Sequence, residues 1–152
     1  MLSARKTMCM LLVCLCSFAA GFSQNTIAAK PKLFGNQPAS IAISENLLQS
    51  FFSLNQNQET VVNFSSAFSF PFRVLSNEAR YANLQTVIVK SSMFGNAIFQ
   101  VSRIVNEDLS ISYAGRILND KAFDGYVIKK LDGGNYQLQK YETDQVLDEC
   151  KL

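Results

Sequence analysis

The sequence predicts an α+β domain that is mainly β: one short N-terminal helix packed on an antiparallel meander of about six strands, a sheet able to curl toward a barrel. Three observations carry this. Apolar residues between 44 and 54 recur at spacings of three and four, as on one side of a helix. From residue 61 onward the period changes to two, as in strands with one covered face. The links between the period-two runs are short and rich in turn residues, whereas a parallel crossover needs a dozen or more residues.

The first 23 residues read as a cleavable secretory signal. Arg5 and Lys6 form a basic start, the run from Met8 to Ala20 is uncharged and apolar, and small residues follow at Gly21 and Ser23. That run falls short of the ~20 residues a helix needs to cross a hydrocarbon core, so no stable membrane anchor is expected after cleavage. A cut after Ser23 leaves Gln24 at the N-terminus, and a cut after Ala20 fits almost as well. Cys14 and Cys16 follow Val13 and Leu15, where a lipoprotein site would place a small residue. The product is therefore expected in an exported compartment, secreted or periplasmic, as residues 24–152.

Residues 24–40 contain Pro31, Gly35 and Pro38 without a sustained period and read as a flexible leader; a single small α+β domain occupies 41–152. Within it, Leu47, Leu48, Phe51, Phe52 and Leu54 gather on one side of a helix of about ten residues. Ser44 suits the N-cap, Glu45 favours the positive end of the helix, and Ile43 with Leu48 suits a hydrophobic staple. So short a helix is marginal alone in water and requires a partner for its apolar face.

The strands supply that partner. In 61–75, Val62, Phe64, Phe68, Phe70, Phe72 and Val74 share one face, and Pro71 marks a bend or an edge position. Further strands are expected at 83–91, 97–105, 109–115, 125–131 and 135–141, with breaks at 76–83, 93–96, 106–108, 119–125 and 132–135. The Phe stripe reads as core beneath the helix in preference to the lining of a lipid pocket.

Composition narrows the chemistry. The chain has no histidine, the usual general base near neutral pH and the commonest zinc ligand. Of four cysteines, Cys9, Cys14 and Cys16 leave with the signal, so Cys150 has no internal disulfide partner and a monomer is expected. Twelve basic and twelve acidic residues remain after cleavage, a balance that does not favour nucleic acid. No cofactor motif, metal set or catalytic constellation stands out. Carboxylates occur at Glu107, Asp108, Asp120, Asp124, Asp144, Asp148 and Glu149 and read as solvated turn or terminal charges. Asn63-Phe64-Ser65 forms a glycosylation sequon.

One feature points outward. Opposite the apolar positions stand Gln85, Gln100, Ser102, Ser110, Ser112, Gln137 and Gln139, uncharged hydrogen-bonding side chains where exposed sheets commonly carry charge. Ser65 and Ser69 extend the same pattern. This set reads as a recognition face for a glycan, a peptide or another envelope or surface protein. The function expected is a non-enzymatic binding module; a structural subunit of a surface assembly is the alternative, and a carboxylate-dependent hydrolase is less favoured.

Overall fold

The computed structural model describes residues 30–66 and 68–142. The expected signal peptide, the start of the leader, and the C-terminal residues including Asp144, Asp148, Glu149 and Cys150 lie outside the described residues. The described residues form one antiparallel sheet of eight strands, curled into a half-barrel, with one short helix on its concave side. The strands are β1 (Ser40–Ile43), β2 (Glu59–Ser65), β3 (Phe68–Tyr81), β4 (Leu84–Ser91), β5 (Ile98–Val105), β6 (Ile111–Leu118), β7 (Asp124–Lys130) and β8 (Tyr136–Glu142). Their order across the sheet is β1-β8-β7-β6-β5-β4-β3-β2, so β2 to β8 form a meander and β1 returns to pair with β8.

Helix α1 (Glu45–Ser50), extended by a 3-10 turn over Phe51–Ser53, connects the two edge strands. Its N-cap is Ser44, whose hydroxyl accepts the Leu47 amide at 3.2 Å. Six residues of helix hold because tertiary packing fixes them. Leu48, Phe51 and Phe52 are buried against the sheet, and Phe51 stacks on Phe72 at 5.6 Å while meeting Phe99 edge-on at 5.1 Å.

The expected stripe of Val62, Phe64, Phe68, Phe70, Phe72 and Val74 is buried throughout. It belongs to two strands, however, where the spacing suggested one. The chain reverses between Ser65 and Phe68, and β2 pairs with β3 from Glu59↔Arg73 to Ser65↔Phe68. From Phe64 to Phe68 the step is an even number of residues, so the inward phase survives the reversal and the period alone does not reveal it. Pro71 sits where the ladder to β4 has just ended, at Phe72↔Ser91, so a missing N–H is tolerated there.

Residues 76–81, expected as a turn, continue β3. Register shifts at Leu75 and Arg80 let the strand bend without ending. Conversely, Leu109 and Ser110 form a turn, and β6 runs on to Leu118. Leu109 adopts φ 64° with its side chain 81% exposed. Left-handed backbone costs an L-residue about 1–2 kcal/mol, part of which glycine recovers against its greater freedom in the unfolded chain. Leu109→Gly is therefore expected to raise stability by roughly 0.5–1 kcal/mol, read from the urea midpoint. A decrease would mean that Leu109 is held by packing.

The expected flexible leader is, from residue 30, a strap fastened across one end of the core. Phe34 is fully buried against Phe94, Tyr126 and Phe68. Asp124, itself buried, accepts the amides of Leu33 at 2.6 Å and Phe34 at 2.9 Å. Lys140 donates to the carbonyls of Phe34 at 2.6 Å and Gln37 at 2.5 Å, and the Tyr126 hydroxyl donates to Pro38 O at 2.6 Å. Burial, with a smaller contribution from the Asp124 charge, pushes the Tyr126 hydroxyl up to about 12, which keeps it a proton donor. Composition hid this strap because its anchors lie about ninety residues away in sequence.

Candidate functional site

Cross-strand pairing sorts every strand residue onto the concave or the convex face. Aromatic side chains fill the concave face: Phe51, Phe64, Phe68, Phe72 and Phe99 are each buried and in mutual ring contact through pairs 5.1–6.4 Å apart. The stripe therefore works as packed core.

Gln85, expected on the outward face, lies on the concave side, because it pairs with Arg103 in the same phase as buried Val87 and Val101. Its amide donates to Asn77 Oδ1 at 2.7 Å and its carbonyl accepts Arg103 Nη2 at 2.9 Å. Asn77 in turn donates to the carbonyls of Phe52 at 3.1 Å and Leu54 at 2.8 Å, and Arg103 lies over the Phe52 ring at 5.4 Å. The network satisfies carbonyls at the end of the helical segment, a structural task. Ser110 also departs from the face: it belongs to the β5–β6 turn, where Asp108 accepts both its amide at 3.0 Å and its hydroxyl at 2.6 Å. Those hydrogen bonds lower the Asp108 pKa.

Gln100, Ser102, Ser112, Gln137 and Gln139 do lie on the convex face. Gln100 and Gln139 share one row across the sheet, Ile88↔Gln100↔Arg116↔Val127↔Gln139. At ~4.8 Å per strand the two amides stand roughly 14 Å apart. Ser102 occupies the neighbouring row beside Thr86, with their hydroxyls 2.9 Å apart. Gln137 stands opposite Lys129, and Ser112 hydrogen-bonds Asn106 at 3.4 Å. The amides of Gln100, Gln137 and Gln139 make no side-chain hydrogen bond among the described residues. Half-buried Val127 lies between Gln100 and Gln139, and half-buried Ile88, Ile98 and Leu118 border Gln100 and Arg116 on the same face. Gly125 keeps this surface flat next to Tyr141, since a Cβ there would meet Ile117 O at 2.4 Å and the Tyr141 hydroxyl at 2.8 Å.

Sequence reasoning missed the cations of this face. Arg116 fell just beyond the expected end of its strand, although it stands in the central row. Arg73 and Lys90 are directly opposed on β3 and β4, with Glu59 on the far side of Arg73. They line an open groove of about 420 Å³. Only strand register brings these three residues together.

The carboxylates do not converge. Glu107 and Asp108 occupy the β5–β6 turn, whereas Asp120 lies in the β6–β7 connection and Asp124 begins β7, so the two pairs stand at opposite ends of the eight-residue β6, roughly 25 Å apart. Both oxygens of Asp124 are committed to backbone amides. No group of three or more acidic or cysteine side chains with metal-holding geometry occurs among the described residues. Comparison of the chain with protein-family models, with curated proteins and with solved structures finds no match.

Proposed function

We propose that the chain is an exported, non-enzymatic binding module whose convex sheet face recognises a partner protein or peptide. The observation that carries this reading is the row through Gln100, Arg116, Val127 and Gln139, where two amides without internal side-chain partners flank exposed Arg116 and half-buried Val127. Such a surface offers both apolar area and hydrogen bonds to a flat partner, the combination found in non-obligate interfaces. The aromatic packing of the concave side supports an outward site, because among the described residues rings fill the space that ligand-carrying barrels keep as an apolar lumen. The scattered carboxylates favour binding over hydrolysis.

The test takes the secreted product, its start at Gln24 checked by intact mass, and titrates it with peptide, envelope-protein and glycan panels while amide shifts are followed. Saturable shifts centred on Gln100, Arg116, Gln137 and Gln139 are expected, with Kd below about 1 mM, the affinity at which binding provides ~4 kcal/mol. Gln100→Ala together with Gln139→Ala is expected to weaken that binding by about ten-fold without altering the fold. Absence of any partner tighter than about 1 mM, or shifts confined to other surfaces, would remove the reading.

A further inference from the structure

The groove beside β2, β3 and β4 has a charge arrangement that internal contacts leave incomplete. Glu59, Arg73 and Lys90 stand side by side on the convex face, each directly opposite the next. Like charges so opposed repel one another across an antiparallel pair. Glu59 answers only one of them: its Oε1 accepts Arg73 Nε at 3.0 Å and Nη2 at 2.5 Å. Lys90 has no anionic partner among the described residues, and the guanidinium of Arg73 retains further donors.

The walls around these cations are fixed. Ser91 donates its hydroxyl to Pro71 O at 3.1 Å and accepts the Met93 amide at 3.1 Å. Gln56 donates to Leu75 O at 3.0 Å, which holds the bulge in β3. Beyond β4, Phe94, Gly95 and Asn96 adopt φ of 50°, 60° and 68° in succession. Asn119 pins this left-handed turn by donating to Phe94 O at 3.0 Å and Gly95 O at 2.7 Å. Two such non-glycine residues in one turn are strained, and the strain sets Asn96 on the rim of the groove. Pro71 and Leu75 give it an apolar side, Ser92 and Asn96 a polar one.

We propose that this groove binds the oxyanion of a small acidic ligand, a carboxylate, sulfate or phosphate group seated between Lys90 and Arg73. Its volume of about 420 Å³ admits a ligand of monosaccharide or amino-acid size beyond the charged group. The site does not depend on the convex row being a recognition surface, since a free anion suffices to occupy it.

Amide shifts are followed at low ionic strength with sodium sulfate, phosphate and glucuronate, against sodium chloride at matched ionic strength. Saturable shifts centred on Arg73, Lys90, Ser92 and Asn96 are expected with the oxyanions and not with chloride. Lys90→Gln is expected to weaken them roughly ten-fold, the scale of one charge-assisted contact, while Lys129→Gln, on the same face but three strands away from Lys90, leaves them unchanged. Glu59→Gln, which releases Arg73, is expected to tighten binding several-fold. Glucuronate binding about ten-fold tighter than sulfate would identify an acidic sugar using the apolar wall; equal affinities would identify an oxyanion site indifferent to the body of the ligand. Identical shifts with chloride, or equal weakening by Lys90→Gln and Lys129→Gln, would reduce the effect to general screening and overturn the proposal.

Discussion

Replacing Phe51 by alanine is expected to lower the unfolding free energy by about 3–5 kcal/mol, the cost of truncating an aromatic side chain in a packed interior. Phe51 is 1% exposed and touches the rings of Phe64, Phe72 and Phe99, which belong to β2, β3 and β5. Those neighbours are rigid strand residues, so the space vacated collapses poorly. The effect also reaches the helix, because α1 is too short to persist without this anchor. Urea unfolding with an unchanged m-value is the measurement, and a loss below about 1 kcal/mol would mean that the helical segment does not hold the concave face together.

A second large loss, about 2–5 kcal/mol, is expected for Asp124→Ala. The carboxylate lies 4% exposed and is the acceptor for two amides of the strap, those of Leu33 and Phe34. Removing it strands two donors, one of them buried, at about 1–3 kcal/mol each. Undocking of Phe34 from Phe94 and Tyr126 would follow, so the damage should extend from the polar anchor into the core. Hydrogen exchange separates this from a general weakening: amides 33 and 34 should lose protection before those of β4 and β5. Protection kept at 33 and 34 with a loss below about 1 kcal/mol would show that Phe34 and Lys140 hold the strap without Asp124.

Much of the fold was legible because its signals are local. Ser44 caps the helix, Phe51 and Phe52 face inward, and β4 and β5 begin and end within a residue of their expected bounds. Each of these follows from spacing, cap chemistry or turn composition within a dozen residues. The convex positions of Gln100, Ser102, Ser112, Gln137 and Gln139 were legible for the same reason, as each stands next to at least one buried residue on its own strand. Gln85 alternates just as regularly, but in phase with Val87 and Val89, and its partner Arg103 comes from the next strand. A polar side chain on an inward phase is readable only once that partner is known.

The sequence by itself determined which apolar residues share a face, where the helix starts, and that the sheet is an antiparallel meander. Hydrophobic period and turn residues act over a few residues and need no distant partner. Only the tertiary structure decided that residues 61–75 contain a chain reversal, that Ser40–Ile43 forms a strand on β8, that the strap is fastened by Asp124, Tyr126 and Lys140, and that Arg73 and Lys90 stand side by side. Each of those depends on which strands meet and in what register. Register is set by the joint burial of many side chains and the satisfaction of distant polar groups, which no single stretch of the chain encodes.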